Sequence, residues 1–349
     1  MTNILLTLFA FTCSYLLSRY FCSVASRFHI LDHPNERSLH DLPTPRNGGL
    51  AILTALGLTW PIAMQVSSPA DGIFFLFAGA IMVGLISFWD DRKSLSPGKR
   101  IFVQFMAALL LVLGKFGVRE VALPALGTFS LGWFGIPATL LFTVWFINLY
   151  NFMDGMDGFA GGMGALGFGF LAYLGWFAGQ DFFALSGLLI AGANLGFLLC
   201  NFPPARIFMG DAGSTTMGFL AAGMSLWGVR DGLFPMWIPI LIFSPFIVDA
   251  TATLIRRLVR GDKVWQAHRS HYYQRLVLLG WGHKRTVLVE YVLMLGTGVS
   301  AVFFVQKSSD RMAIIGLLGW IVIYALLAVG VHRLEKGKMA SSSWQKSPK

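Results

Sequence analysis

With 349 residues, 55% hydrophobic and only 13% charged, the chain carries about half the charged fraction of an ordinary water-soluble protein. That balance, with a mean hydropathy of +0.65, excludes a soluble globular domain and predicts an all-α polytopic membrane protein. The formal net charge of +10 calls for no nucleic acid partner, because most of the cations fall in loops on one side of the predicted bundle, where they attract anionic membrane lipids.

A helix needs about 20 mostly apolar residues to cross a bilayer. About eleven such transmembrane helices are predicted, at 3–25, 49–66, 73–89, 101–117, 134–150, 159–178, 182–200, 213–229, 235–256, 286–305 and 312–332. No basic residue precedes the first span and no small-residue cleavage site follows it, so it is expected to be retained. Cys13, Cys22 and Cys200 have neither metal nor disulfide spacing and suit small apolar positions in helices. Residues 121–134 alternate in polarity around Gly127 and Gly132, which predicts a short periplasmic β-hairpin between the fourth and fifth spans. Pro239, Pro245 and Asp249 inside the ninth span predict a kinked or broken helix. Residues 336–349 are basic and polar and are expected to form a disordered cytoplasmic tail, leaving 1–335 as a single transmembrane domain.

Of the 27 Lys and Arg residues, 21 lie in the tail or in loops that follow odd-numbered spans. The excess marks the cytoplasmic side, with the amino terminus outside and the carboxyl terminus in the cytoplasm.

Five polar clusters sit on that same side. The first loop holds Arg37, His40 and Arg46 ahead of a glycine pair that opens the second span. It either anchors the loop at headgroups or contacts phosphate. Asp90 and Asp91 end the third span, where the helix dipole disfavours anions. They are either a solvated loop start neutralised by Arg92 and Lys93, or they face a metal or a reacting phosphate with Lys99 and Arg100 nearby. In the third cluster Asn148, Asn151 and Asp154 share one helix face, with Asp157 just beyond. An interhelical hydrogen-bond seam competes there with a catalytic role. Asn201, Phe208 and Asp211 surround the start of the eighth span, where Asp211 is a helix cap, a metal ligand or both. The most basic loop carries His268, Arg269 and His271; without a third ligand nearby, diphosphate binding suits it better than zinc. Together the clusters offer acidic and amide metal ligands beside phosphate-binding cations, the chemistry of phosphoryl transfer.

These segments, RSLHDLPTPRNGG, FWDDRKSLSPGKR, NLYNFMDGMDG, NFPPARIFMGDAGS and AHRSHYYQRL, resemble in this order the polyprenyl-phosphate N-acetylhexosamine-1-phosphate transferase family over about residues 30–285. The resemblance implies an enzyme of the bacterial inner membrane. It would move a HexNAc-1-phosphate from a UDP-N-acetylhexosamine to undecaprenyl phosphate and release UMP, with Mg2+ as cofactor and Mn2+ as its substitute. Position by position, Asn151 and Asp211 match the family's metal ligands. Asp157, Asn201 and Phe208 match residues around the uridine, with Phe208 stacking on uracil. Asp90 and Asp91 match the acidic pair assigned to lipid phosphate or metal, and Arg100 a phosphate contact. The catalytic candidates are Asp90, Asp91, Asp154 and Asp211; the substrate-binding candidates are Arg37, His40, Arg46, Arg100, Asn148, Asp157, Asn201, Phe208, His268, Arg269 and His271. Ser270 stands where relatives often carry another histidine, which argues against a muropeptide donor. The last segment is most similar to the branch that starts O-antigen synthesis with GlcNAc or with 6-deoxy amino sugars such as FucNAc or QuiNAc. A homodimer is a further expectation. The rival from another class, a secondary transporter, predicts polar groups near mid-bilayer in paired repeats, whereas these concentrate at one face.

Overall fold

The computed structural model describes residues 1–23, 30–34, 38–93, 95–263, 268–307 and 309–344. Its helices are α1 (Thr2–Cys22), α2 (Gly48–Val66), α3 (Ile73–Arg92), α4 (Pro97–Leu113), α5 (Gly135–Phe152), α6 (Phe159–Phe177) and α7 (Asp181–Asn201). They continue as α8 (Gly210–Arg230), α9 (Trp237–Ile242), α10 (Ser244–Val259), α11 (Tyr272–Leu276), α12 (Gly282–Lys307) and α13 (Asp310–Trp344). Two short antiparallel pairs complete it. Strands β1 (Leu31–Asp32) and β2 (Thr44–Pro45) match Leu31 with Pro45, and β3 (Glu120–Leu123) and β4 (Gly127–Ser130) match Glu120 with Ser130.

Among the described residues, eight helical segments are long and apolar enough to cross a membrane, against about eleven predicted. The three that fall short have identifiable reasons. Helix α4 has only 17 residues. Helix α8 has 21, but Gly, Ser and Thr dilute its hydropathy. The ninth predicted span is broken into α9 and α10 at Phe243, because Pro245, in the first turn of α10, cannot donate a hydrogen bond back into α9. At the other end of the chain α13 runs to Trp344, through most of the segment where a disordered tail was expected.

Helix α8 forms the centre, packed against α2, α3, α5, α6 and α7. Every residue from Ala212 to Gly228 is buried. Small residues permit this. A Cβ built on Gly49 would fall 2.3 Å from the Cα of Gly213, so α2 and α8 cross nearly backbone to backbone. At the crossing, Gly48 N–H donates to Phe208 O at 2.9 Å and Gly49 N–H to Met209 O at 2.7 Å. These bonds satisfy amides at the start of α2 that no helical carbonyl reaches. Helix α13 lies at the periphery, with Ile315, Leu318, Ile321, Val322 and Leu326 exposed, as suits a lipid-facing surface.

Candidate active site

The carboxyl ends of α5 and α7 and the amino ends of α4, α8 and α12 meet at one end of the bundle. There they enclose a cavity of about 470 Å3. His40, Arg46, Arg100, Asn151, Asp154, Asp157, Asn201, Phe208, Asp211, His268 and His271 all line it. Residues more than two hundred positions apart, such as His40 and His271, thus converge.

Asp211 opens α8, and the Asn151 side chain at the end of α5 hydrogen-bonds its carboxylate. Asp154 follows two residues after α5 and accepts a hydrogen bond from Gly210 N–H. Gly210 has φ +75°, and a Cβ there would strike Arg46 O at 2.1 Å, so only glycine brings the backbone this close. Burial, then repulsion from Asp211 and Asp91, pushes the Asp154 carboxyl well above the ordinary carboxylate range. A proton or a cation between these groups relieves that repulsion.

Asp90 and Asp91 do not line the cavity; each holds a cation that does. Asp91 accepts Asp211 N–H at 3.3 Å and Ala212 N–H at 3.1 Å, so it caps α8 from a neighbouring helix. The favourable amino end of α8 offsets the unfavourable carboxyl end of α3 on which Asp91 sits. Arg46 Nη2 donates to Asp91 O, and its Nε lies 3.6 Å from Asp91 Oδ1. Asp90 accepts Leu95 N–H and pairs with Arg100 Nη1 at 2.9 Å; the same nitrogen is 4.0 Å from Asp211 Oδ2. Both arginines are thereby aimed at the carboxylate group.

Asn148 turns away from the cavity. Its amide donates to Gln104 Oε1 of α4 at 2.7 Å, so the interhelical seam weighed for this motif holds at this position. Arg269 is not among the cavity-lining residues, and Arg37 lies outside the described residues. Asn201 is committed to the scaffold: its oxygen accepts Gly158 N–H at 3.0 Å and its amide donates to Ile207 O at 2.8 Å. Asp157 accepts Ala205 N–H at 3.0 Å. The His40 ring meets Phe208 edge-on at 4.8 Å between centroids. Burial, with His271, Arg257 and Arg256 close by, lowers the His268 pKa to about 4, so this ring is neutral near pH 7.

Sequence reasoning missed Asp32, Gln274 and His283, which line the cavity, and Asp249, which supports His271 from outside it. Asp32 pairs with His40 at 3.1 Å across the first loop. His283 and Gln274 line the cavity beside Asp157 and His271. Asp249, noted only as part of the broken ninth span, accepts Tyr272 N–H at 2.8 Å and Tyr273 N–H at 3.0 Å and lies 3.3 Å from His271 Nδ1. An acidic residue in an apolar run was the available signal.

Among the described residues no group of three His, Cys, Asp or Glu side chains is arranged to hold a metal ion. The donors that do converge, the Asn151 amide and the Asp154 and Asp211 carboxylates, are hard oxygen ligands. This set fits Mg2+, which binds through one or two carboxylates and completes its shell with water and substrate phosphate.

Many apolar helices and a polar cavity of carboxylates and guanidinium groups at one end of the bundle define a multi-pass membrane protein equipped to hold phosphate groups. The glycosyl transferase family 4 model matches residues 73–229. The chain is 30% identical to a probable undecaprenyl-phosphate N-acetylglucosaminyl 1-phosphate transferase of Bacillus subtilis (strain 168), over 90% of this chain and 88% of that protein. It is 31% identical to a decaprenyl-phosphate N-acetylglucosaminephosphotransferase of Mycobacterium tuberculosis (strain ATCC 25618 / H37Rv), over 90% and 85%. It is 27% identical to an undecaprenyl-phosphate alpha-N-acetylglucosaminyl 1-phosphate transferase of Salmonella typhi, over 85% and 83%. The chain belongs to the polyprenyl-phosphate N-acetylhexosamine-1-phosphate transferase family.

Proposed function

We propose that this protein transfers a HexNAc-1-phosphate from a UDP-N-acetylhexosamine to undecaprenyl phosphate at the cytoplasmic face of a bacterial inner membrane. The product begins a cell-envelope polysaccharide such as O-antigen. The observation that carries this is the meeting of Asn151, Asp154 and Asp211 with Arg46 and Arg100 at one cavity. A lipid phosphate is already largely ionised near neutral pH, with a second pKa of about 6, so alignment matters more than proton removal. Arg46 and Arg100, aimed by Asp91 and Asp90, bind the phosphates and offset negative charge as it develops. A phosphate oxygen of the lipid forms a bond to the sugar-linked phosphorus while the bond to the UMP oxygen breaks, and UMP leaves. Asn151 and Asp211 would hold Mg2+, or Mn2+ in its place, which would supply charge neutralisation for the transferred phosphate. Asp154, which accepts Gly210 N–H beside Asp211, would complete the oxygen-donor set.

Purified protein given undecaprenyl phosphate, Mg2+ and a panel of UDP-GlcNAc, UDP-FucNAc and UDP-QuiNAc is expected to release UMP from one donor. Asp211→Asn is expected to reduce that rate by at least about 100-fold at unchanged expression. No UMP from any donor, or an Asp211→Asn enzyme with wild-type rate and Mg2+ dependence, sinks the reading.

A further inference from the structure

His283, in the first turn of α12, belongs to none of the five polar clusters, yet it lines the cavity and joins two segments that build it. Its Nε2 lies 3.1 Å from Leu39 O in the first loop. Its Nδ1 lies 3.0 Å from Asp157 Oδ1 in the loop after α5. A carbonyl oxygen and a carboxylate oxygen are both acceptors, so the ring must donate from both nitrogens at once. Asp157 N–H sits 3.4 Å from the same Nδ1, but the carboxylate contact is the shorter and decides where the proton belongs. A doubly protonated imidazole is therefore the form that satisfies this geometry.

The consequences reach further than one ion pair. Through its other oxygen Asp157 holds Ala205 N–H, and the neighbouring Gly158 N–H is held by Asn201. Leu39 precedes His40, whose ring packs on Phe208. His283 thus stitches the first loop onto the side of the cavity made by Asp157, Asn201 and Phe208. It makes no contact with the Asp90, Asp91 and Asp211 group, whose ties run through Arg46, Arg100 and the amides opening α8.

We propose that His283 is a positioning residue for the UDP-sugar donor: it pins Leu39 to Asp157 and so holds His40 and Phe208 in the arrangement that receives the nucleotide. The inference rests on the transferase reading. Because His283 acts on the binding side of the cavity, its loss weakens donor binding and leaves the reacting groups in place.

Two measurements on the full-length protein test it. In steady-state UMP release with the accepted UDP-HexNAc, His283→Ala is expected to raise the donor KM about 10-fold with kcat within about threefold of wild type. His283→Gln, which keeps one donor, is expected to fall between the two. A purely structural role would instead lower the melting temperature of His283→Ala and scale kcat with the fraction folded. Hydrogen–deuterium exchange without substrate is expected to show faster exchange in peptides covering 38–43 in His283→Ala, with peptides from α8 unchanged. An unchanged KM in an active His283→Ala enzyme, or unchanged exchange in 38–43, overturns the proposal. Wild-type protein that releases no UMP while His283→Ala speeds exchange in 38–43 would sink the transferase reading and overturn the donor role, leaving the Leu39–Asp157 tie alone.

Discussion

At the scale of single residues, the candidate site works by division of labour between charges that face the cavity and charges that hold them there. Asp249 shows the second kind outside the acidic pair. It is buried in α10 and accepts from Thr253 Oγ1 as well as from two backbone amides of α11, besides lying against His271 Nδ1. Its negative charge therefore caps the first turn of α11 and fixes which His271 nitrogen is left for the cavity. Asp249→Asn keeps the shape but removes the charge and one acceptor site. It is expected to lower kcat/KM for UMP release about 10-fold, since each hydrogen bond to a charged group is worth about 1.5–3 kcal/mol. A kcat/KM within about twofold of wild type would show that His271 needs no such anchor. The same distinction explains what could be read from the sequence at this scale. Polar residues at helix ends were legible as a set, because their cost in an apolar chain demands a reason. Which of them face the cavity was not, because Asn148 and Asn151 share a helix face yet meet different neighbours, Gln104 and Asp211.

At the scale of elements, the crossing of α2 and α8 decides where Asp211 lies. Gly49 and Gly213 leave no room between the backbones: a Cβ on Gly213 would come within 2.6 Å of Gly49 Cα and 2.4 Å of Met209 Cγ. Gly213→Val is expected to push α8 away from α2, costing at least about 1–3 kcal/mol as overpacking and abolishing UMP release. Gly57, on α2, is the control, since nothing lies within 4 Å of a Cβ built there. Gly57→Ala is expected to be neutral or to stabilise by up to about 1 kcal/mol. Thermal unfolding in detergent, read beside activity, separates the two; a Gly213→Val protein with wild-type turnover would show that the close crossing is dispensable. The glycine pair after Arg46 was visible in the sequence as an opening for the second span. Its partner in α8 was not, because a contact between residues 164 positions apart leaves no local periodicity.

At the scale of the molecule, the question is whether α4, α8 and the broken pair α9–α10 cross the membrane although they fall short in length or hydropathy. The two ends of the bundle carry the argument. Arg100, in the first turn of α4, faces the cavity, whereas Lys115 just beyond its last turn lines a cleft with Asp71, Gln180 and Arg230. Helix α8 likewise starts with Asp211 in the cavity and ends with Arg230 in that far cleft. Residues of β3–β4 line a second far cleft with the start of α9 and the α12–α13 junction, while His271, which follows α10, lines the cavity. Each short element therefore runs from one end of the bundle to the other, as far as the eight apolar helices beside it. Burial explains how: α8 meets protein on all sides and needs no apolar surface for lipid, so hydropathy undercounts it. Eleven crossings would place the cavity and the carboxyl terminus on one side and the β3–β4 pair on the other. Single cysteines introduced into a variant lacking Cys13, Cys22 and Cys200, at Thr128 and at Lys336, test this in intact cells. A membrane-impermeant maleimide is expected to label Thr128→Cys and to reach Lys336→Cys only after the membrane is broken. Labelling of both, or of Lys336→Cys alone, would mean an even number of crossings or the opposite orientation. With Lys336→Cys alone labelled, the cavity would face away from a cytoplasmic nucleotide sugar, and the proposed reaction would have no access to its donor.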